Sequence, residues 1–150
     1  MQSVYEYPRA NITTDILYIH PHKGILLIKR KNYPDAGKWA LPGGHLEIDE
    51  KIKSCAKREF MEEVGFEPLN LFILRGVFDE IRRDPRDRYL TFAFFVNGHL
   101  DDPEPIAGDD ASACCFFDVD KAKDMDLAID HKNIISNILF GCFKSTNVLC

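Results

Sequence analysis

The stretch Gly44–Phe66, "GHLEIDEKIKSCAKREFMEEVGF", crowds four ionisable groups and a glycine into its last nine residues. Glu59, Glu62 and Glu63 are carboxylates that repel one another in bare water. Ile52, Ala56, Phe60 and Val64 recur every four residues and give this segment one apolar stripe. The pattern predicts a helix running to about Val64, with Asp49 as its N-cap and Gly65 as its stop. At about 100° per residue the three glutamates share an arc of roughly 100° beside that stripe. Glu59 and Glu63 lie about 6 Å apart along the axis, so their carboxylates can converge. Like charges at this spacing cost a few tenths of a kcal/mol unless a cation sits between them, and magnesium, a hard cation, suits oxygen ligands. An arbitrary E-x-x-E-E is more often a solvated acidic face, so the flanking positions must decide.

Those positions read G-x5-E-x7-R-E-φ-x-E-E-x-G-φ: Gly44, Glu50, Arg58, Glu59, Phe60, Glu62, Glu63, Gly65 and Phe66. Chance would produce this set in such a chain on the order of once in ten million. The segment resembles the Nudix box, complete and without gaps. The resemblance implies the Nudix fold, an α/β/α sandwich with a central mixed sheet, and hydrolysis of a nucleoside diphosphate linked to a further group. It implies magnesium, or manganese, on Glu59, Glu62 and Glu63, with a backbone carbonyl from Gly43 or Gly44. It implies Glu50 and Arg58 as a structural ion pair, with Arg58 counted in the catalytic set. Glu59 is the general base in some members, and an acid from a distant loop in others.

The rest of the chain is consistent with one α/β domain spanning residues 1–150. "NITTDILYIH" and "KGILLIKRK" read as strands joined by the turn "PHK", and "LFILRGVFD", "RYLTFAFFVNG" and "CCFFDV" as further strands. "NYPDAGKW" and "EIRRDPRD" are loops, and "DHKNIISNILFGCF" is an amphipathic helix with Ile134, Ile135, Ile138 and Leu139 on one side. Strands flanking a few helices suggest a mixed sheet between helical layers.

Three stretches resemble the smaller ADP-ribose pyrophosphatases of the same superfamily: "RDPRDR" (83–88), "AGDDA" (107–111) and "LAIDHKNII" (127–135). Arg83, Arg86 and Arg88 would bind substrate phosphate or ribose, unless Asp84 and Asp87 pair them in an exposed turn. Asp109 and Asp110 would contribute to the substrate site. Trp39 and Tyr33 would stack a base, or Trp39 is plain core. His131 reads as a helix-start residue. Asp87 and Ala113 depart from the usual glycine and glutamate at their positions, and "CCFF" replaces a more usual A-R-W-F. The expected substrate is ADP-ribose or a related nucleotide sugar, giving AMP and a sugar phosphate. The alternatives are a nucleoside triphosphate, oxidised ones included, or a sensor that binds ADP-ribose without cutting it. Sensors usually carry a DNA-binding extension, for which the ten or so residues after the last helix leave no room.

Composition bounds the remaining readings. A formal charge of −5 argues against nucleic acid, and no apolar run approaches the length of a membrane helix. The N-terminus lacks a basic start and an apolar region, so no secretory signal is expected. Five cysteines without C-x-x-C spacing point to reduced thiols and a cytoplasmic setting, with Cys150 a spare thiol. The resemblance also allows a homodimer with strands exchanged at the N-terminus.

Overall fold

In the computed structural model, residues 5–108 and 110–141 are described. Asp109, Cys142 and Cys150 lie outside them. The chain opens with β1 (Asn11–His20) and β2 (Gly24–Arg30), an antiparallel pair in the register Ile19 to Ile25. The ring Nδ1 of His20 accepts from the N–H groups of His22 and Lys23 and closes the turn between them. Two short strands follow: β3 (Trp39–Ala40) pairs with β2, and β4 (Gly43–His45) with β1. Helix α1 (Ile52–Val64) comes next, then β5 (Ile73–Phe78), β6 (Tyr89–Asn97), β7 (Ala111–Phe117), α2 (Val119–Asp124) and α3 (His131–Phe140).

One seven-stranded sheet results, with the path β3-β2-β1-β6-β5, β4 added on β1 and β7 on β2. Strand β6 runs parallel to β1 and every other pairing is antiparallel, so the sheet is mixed. The two-residue period of a strand divides the unbroken apolar runs of β1 and β2 between two faces. Ile16, Tyr18, Leu26 and Ile28 meet Ala56, Phe60 and Val64 of α1. Leu17, Ile25 and Leu27 meet Ala122 of α2 and Ile134, Ile135 and Ile138 of α3. This is the expected α/β/α sandwich.

Helix α1 ends as its sequence predicts. Gly65 adopts φ +81° and returns its N–H to the Met61 carbonyl, a left-handed cap that a Cβ would strain. The chain then turns Phe66 back edge-on to Phe60, with ring centroids 5.4 Å apart. The start of α1 differs from expectation. Lys51, not Asp49, is the N-cap residue, and no side chain caps it. Asp49 sits one turn earlier, where Glu50 N–H donates to the Glu47 carbonyl and the Glu50 carboxylate is drawn to Arg58. The "CCFFDV" strand also differs. It begins at Ala111 and stops at Phe117, because the Asp118 carboxylate accepts from Asp120 N–H and caps α2, an element the sequence reading missed. Among the described residues, no helix is long and apolar enough to cross a membrane.

Candidate active site

A cleft of about 430 Å³ opens where β4, the start of β2's outgoing loop and one side of α1 meet the loop before β6. Its size suits a small ligand. Glu59 and Glu63 line it from α1, Gly43 and Gly44 from β4, and Asp110 from the approach to β7. Sequence proximity explains little of this. Register does, since β4 pairs Gly44 with Thr14 of β1 and thereby lays the glycines against the side of α1.

Gly44 is where the backbone must come close. A Cβ there would sit 2.3–2.5 Å from the carboxylate atoms of Glu59. Gly43 N–H donates to Glu63 Oε2 at 3.0 Å, tying the strand to the helix. Glu63 is only 7% exposed. Burial pushes its carboxyl up to about 8, against the Gly43 hydrogen bond, and the charges of Glu59, Asp15 and Asp110 add to the rise. Glu59 is raised as well, by burial, with Arg58 opposing. Glu62 is half exposed and does not line the cleft.

Arg58 organises these carboxylates. Its Nε and Nη2 hold Glu50 at 2.7 and 2.9 Å, Nη1 reaches Glu59 at 2.7 Å and Glu62 at 3.3 Å, and Nη2 also donates to the His45 carbonyl at 3.0 Å. Those bonds hold the Glu50 carboxyl down at about 2. Glu59 and Glu63 line the same cleft, with Glu59 and Glu62 sharing Arg58 while Glu63 accepts from Gly43 N–H. Among the described residues, no three His, Cys, Asp or Glu side chains are set to hold one metal ion.

The raised Glu63 carboxyl has a measurable consequence. Its ordinary value is 4.5, so between about 4.5 and about 8 the folded protein keeps a proton that the unfolded chain releases. This group's stabilising contribution is full below 4.5 and is lost as pH rises to about 8. Denaturant melts of metal-free protein should show stability falling across that window, and Glu63→Gln should flatten the slope. An unchanged slope in the variant would assign the dependence elsewhere.

The arginines of the loop before β6 divide. Arg83 is buried, its Nε and Nη2 forked onto Asp130 at 2.7 and 2.5 Å and its Nη1 on Thr91 Oγ1 at 2.6 Å. Arg86 is forked onto buried Asp84 at 2.9 and 2.7 Å and lies 4.4 Å over the Tyr89 ring. Both line the cleft, but their donor edges face the protein's own carboxylates. Arg88 does not line it, because Nη1 donates to the Asp79 and Glu80 carbonyls. Trp39 is absent from the cleft too: the strand period sends Ala40 to the α1 face and Trp39 to the other, edge-on to Phe117 at 4.9 Å. Exposed Tyr33 does line the cleft.

Asp15 and Arg30 were not singled out from sequence. Asp15 is a buried carboxylate in the apolar run of β1, and that placement was its available signal. It meets His131, the first residue of α3, at 3.3 Å from Nε2. The His131 Nδ1 accepts from Leu41 N–H at 2.9 Å, so the ring proton sits on Nε2 and points to Asp15.

Comparison with known proteins agrees with this fold. An ADP-ribose pyrophosphatase of Methanocaldococcus jannaschii is 38% identical over 133 residues, covering 82% of this chain and 76% of that protein. The ADPR responsive transcriptional repressor NtrR of Acinetobacter baylyi is 31% identical over 136 residues, covering 87% of this chain and 53% of that protein. Among solved structures, a bifunctional NMN adenylyltransferase/ADP ribose pyrophosphatase of Francisella tularensis, complexed with AMP and a manganese ion, superposes with a TM-score of 0.78. It is 30% identical and covers 92% of this chain and 43% of its own. The chain thus spans about half the length of the latter two proteins. The NUDIX domain model matches residues 10–138, a span that holds all seven strands and the Gly44–Phe66 box, and the chain belongs to the Nudix family.

Proposed function

We propose that the chain hydrolyses the diphosphate linkage of ADP-ribose or a related nucleotide sugar, with a divalent cation, to AMP and a sugar phosphate. The observation that carries the reading is one cleft lined both by Glu59 and Glu63 of the box and by arginine side chains. The likeness to the Methanocaldococcus pyrophosphatase supports the substrate class.

The residues fit a hard cation. Gly44 leaves open the space beside Glu59 that a Cβ would fill, and the donors are carboxylate oxygens, the kind a hard cation takes. Glu59, Glu62 and Glu63, with a Gly43 or Gly44 carbonyl, would hold magnesium or manganese, which supplies charge for the diphosphate oxygens and acidity for a bound water. The protein's own part is positioning. Arg58 braces Glu50, Glu59 and the His45 carbonyl, so the acidic ridge is set before substrate arrives. A water oxygen joins one phosphorus as the bridging P–O bond breaks. Its proton passes to a cleft carboxylate, and Glu59, whose basicity burial raises, suits that role. Asp110 lines the same cleft, and Asp109 precedes it in the sequence, outside the described residues.

Initial rates on ADP-ribose and on a nucleoside triphosphate panel test the substrate. ADP-ribose should show the higher kcat/KM, and a reversal in favour of triphosphates would replace the reading. The Acinetobacter repressor favours a second reading, in which the cleft binds ADP-ribose without cutting it. Saturable binding with magnesium but no AMP in the product would select that one. Arg86→Lys keeps charge against Asp84 but loses the fork, so KM should rise several-fold with kcat nearly intact. A loss confined to kcat would contradict a binding-side role.

A further inference from the structure

The cleft contains an arginine whose terminal nitrogens serve no carboxylate. Arg30 is the last residue of β2, and its backbone is pinned: its N–H donates to the Lys38 carbonyl at 2.9 Å, and Gly37 N–H donates to its carbonyl at 2.8 Å. The side chain is half-buried and lines the cleft. Its Nε donates to the Pro34 carbonyl at 2.7 Å, which fixes the guanidinium plane. Both Nη groups are left over, and no carboxylate among the described residues pairs with them. Every other cleft arginine is engaged: Arg58 with Glu50, Glu59 and Glu62, Arg83 with Asp130, and Arg86 with Asp84.

Strand periodicity accounts for this placement. Leu26, Ile28 and Arg30 share one face of β2. The first two enter the core beneath α1, and the third emerges where that core opens into the cleft. A bulge on β7 skips Ser112 and pairs Arg30 with Ala111, next to cleft-lining Asp110, without disturbing the alternation on β2. Glu59 and Asp110 also line the cleft, and carboxylates there repel a diphosphate. A guanidinium with one edge anchored and the other edge open presents two parallel donors to phosphate oxygens at little cost in ordering.

The geometry points to Arg30 as the residue that grips the diphosphate of the bound nucleotide. This rests on the proposed nucleotide substrate, and it adds the end of β2 to the 83–88 loop as a source of phosphate contacts. Isothermal titration of the full chain with ADP and with adenosine, in magnesium, tests it. Arg30→Ala should weaken ADP by about 10- to 100-fold, the worth of a charge-assisted fork, and leave adenosine unaffected. Arg30→Lys keeps the charge and much of the stem, and should fall between wild type and Arg30→Ala for ADP alone. It decides the matter should the alanine variant fail to fold. Unchanged ADP affinity in the variants, equal losses for ADP and adenosine, or no ADP binding by wild type overturns the assignment. ADP-ribose turnover is measured in parallel. Its absence from wild type rejects the proposed reaction, while ADP binding still decides Arg30.

Discussion

Glu62→Gln is expected to lower kcat by about 10²- to 10³-fold while leaving the melting temperature almost unchanged. Of the three box carboxylates it is the cleanest to remove. Its side chain is 48% exposed and its only described partner is Arg58, at 3.3 Å. An exposed pair of this kind contributes little to stability. Glu59 is less suitable, because it is locked to Arg58 at 2.7 Å and pressed against Gly44. Glu63 carries the buried proton and the Gly43 bond, so its removal alters folding as well. A half-exposed glutamate with no packing duty has one reason to matter for turnover, which is the ion it would hold. Steady-state rates at saturating magnesium check the expectation. Wild-type turnover in this variant would remove Glu62 from the metal set.

Arg58→Met should destabilise the protein by roughly 3 kcal/mol, the low end of the range for breaking a pair largely cut off from water. The aliphatic stem is replaced, so the loss is electrostatic. Glu50 and Glu59 are mostly buried and would each lose their shortest charged contact. The pH dependence identifies the cause. In the folded protein the Arg58 bonds hold Glu50 at about 2, below its ordinary 4.5. That contribution is present above about 4.5 and is lost as pH falls to about 2. The variant should therefore lose most stability near neutrality, and the gap from wild type should narrow in acid. Urea melts at several pH values measure this. A gap that stays constant with pH would point to packing rather than to the ion pair.

How far the sequence could be read depends on where each interaction lies. Helix α1 and its stop at Gly65 were legible because a 3.6-residue period and a left-handed cap are local properties. The five longer strands were legible as apolar runs, whereas the short β3 and β4 and the strand order were not. Pairing β1 with β4 and β6 joins residues far apart in the chain, and that pairing builds the cleft. The Glu50–Arg58 contact was expected from the box, yet the reach of Arg58 to Glu59 and Glu62 was not. A single guanidinium can satisfy several carboxylates, and spacing along a helix does not say which it takes. Trp39 was offered a role in stacking because tryptophan suits it, but its place on β3 turns it to the α3 face. Arg83 and Arg86 could be read as substrate donors or as partners of the neighbouring aspartates, and for Arg86 the Asp84 pairing is what forms. Asp130, 47 residues from Arg83, was out of view of local reading, and so was the burial of Asp84. Arg30 passed unnoticed for the converse reason: a basic residue ending a strand is ordinary until its neighbours are shown to leave it unpaired.

One ridge of α1 is expected to seat divalent cations against a diphosphate. Manganese binding, followed by the loss of the free-ion electron paramagnetic resonance signal as protein and ADP are added, tests it directly. The wild-type chain should take up manganese, more tightly with ADP present, and a variant with Glu59, Glu62 and Glu63 all changed to Gln should leave the ion free. Equal uptake by both proteins would place the metal elsewhere and contradict the account.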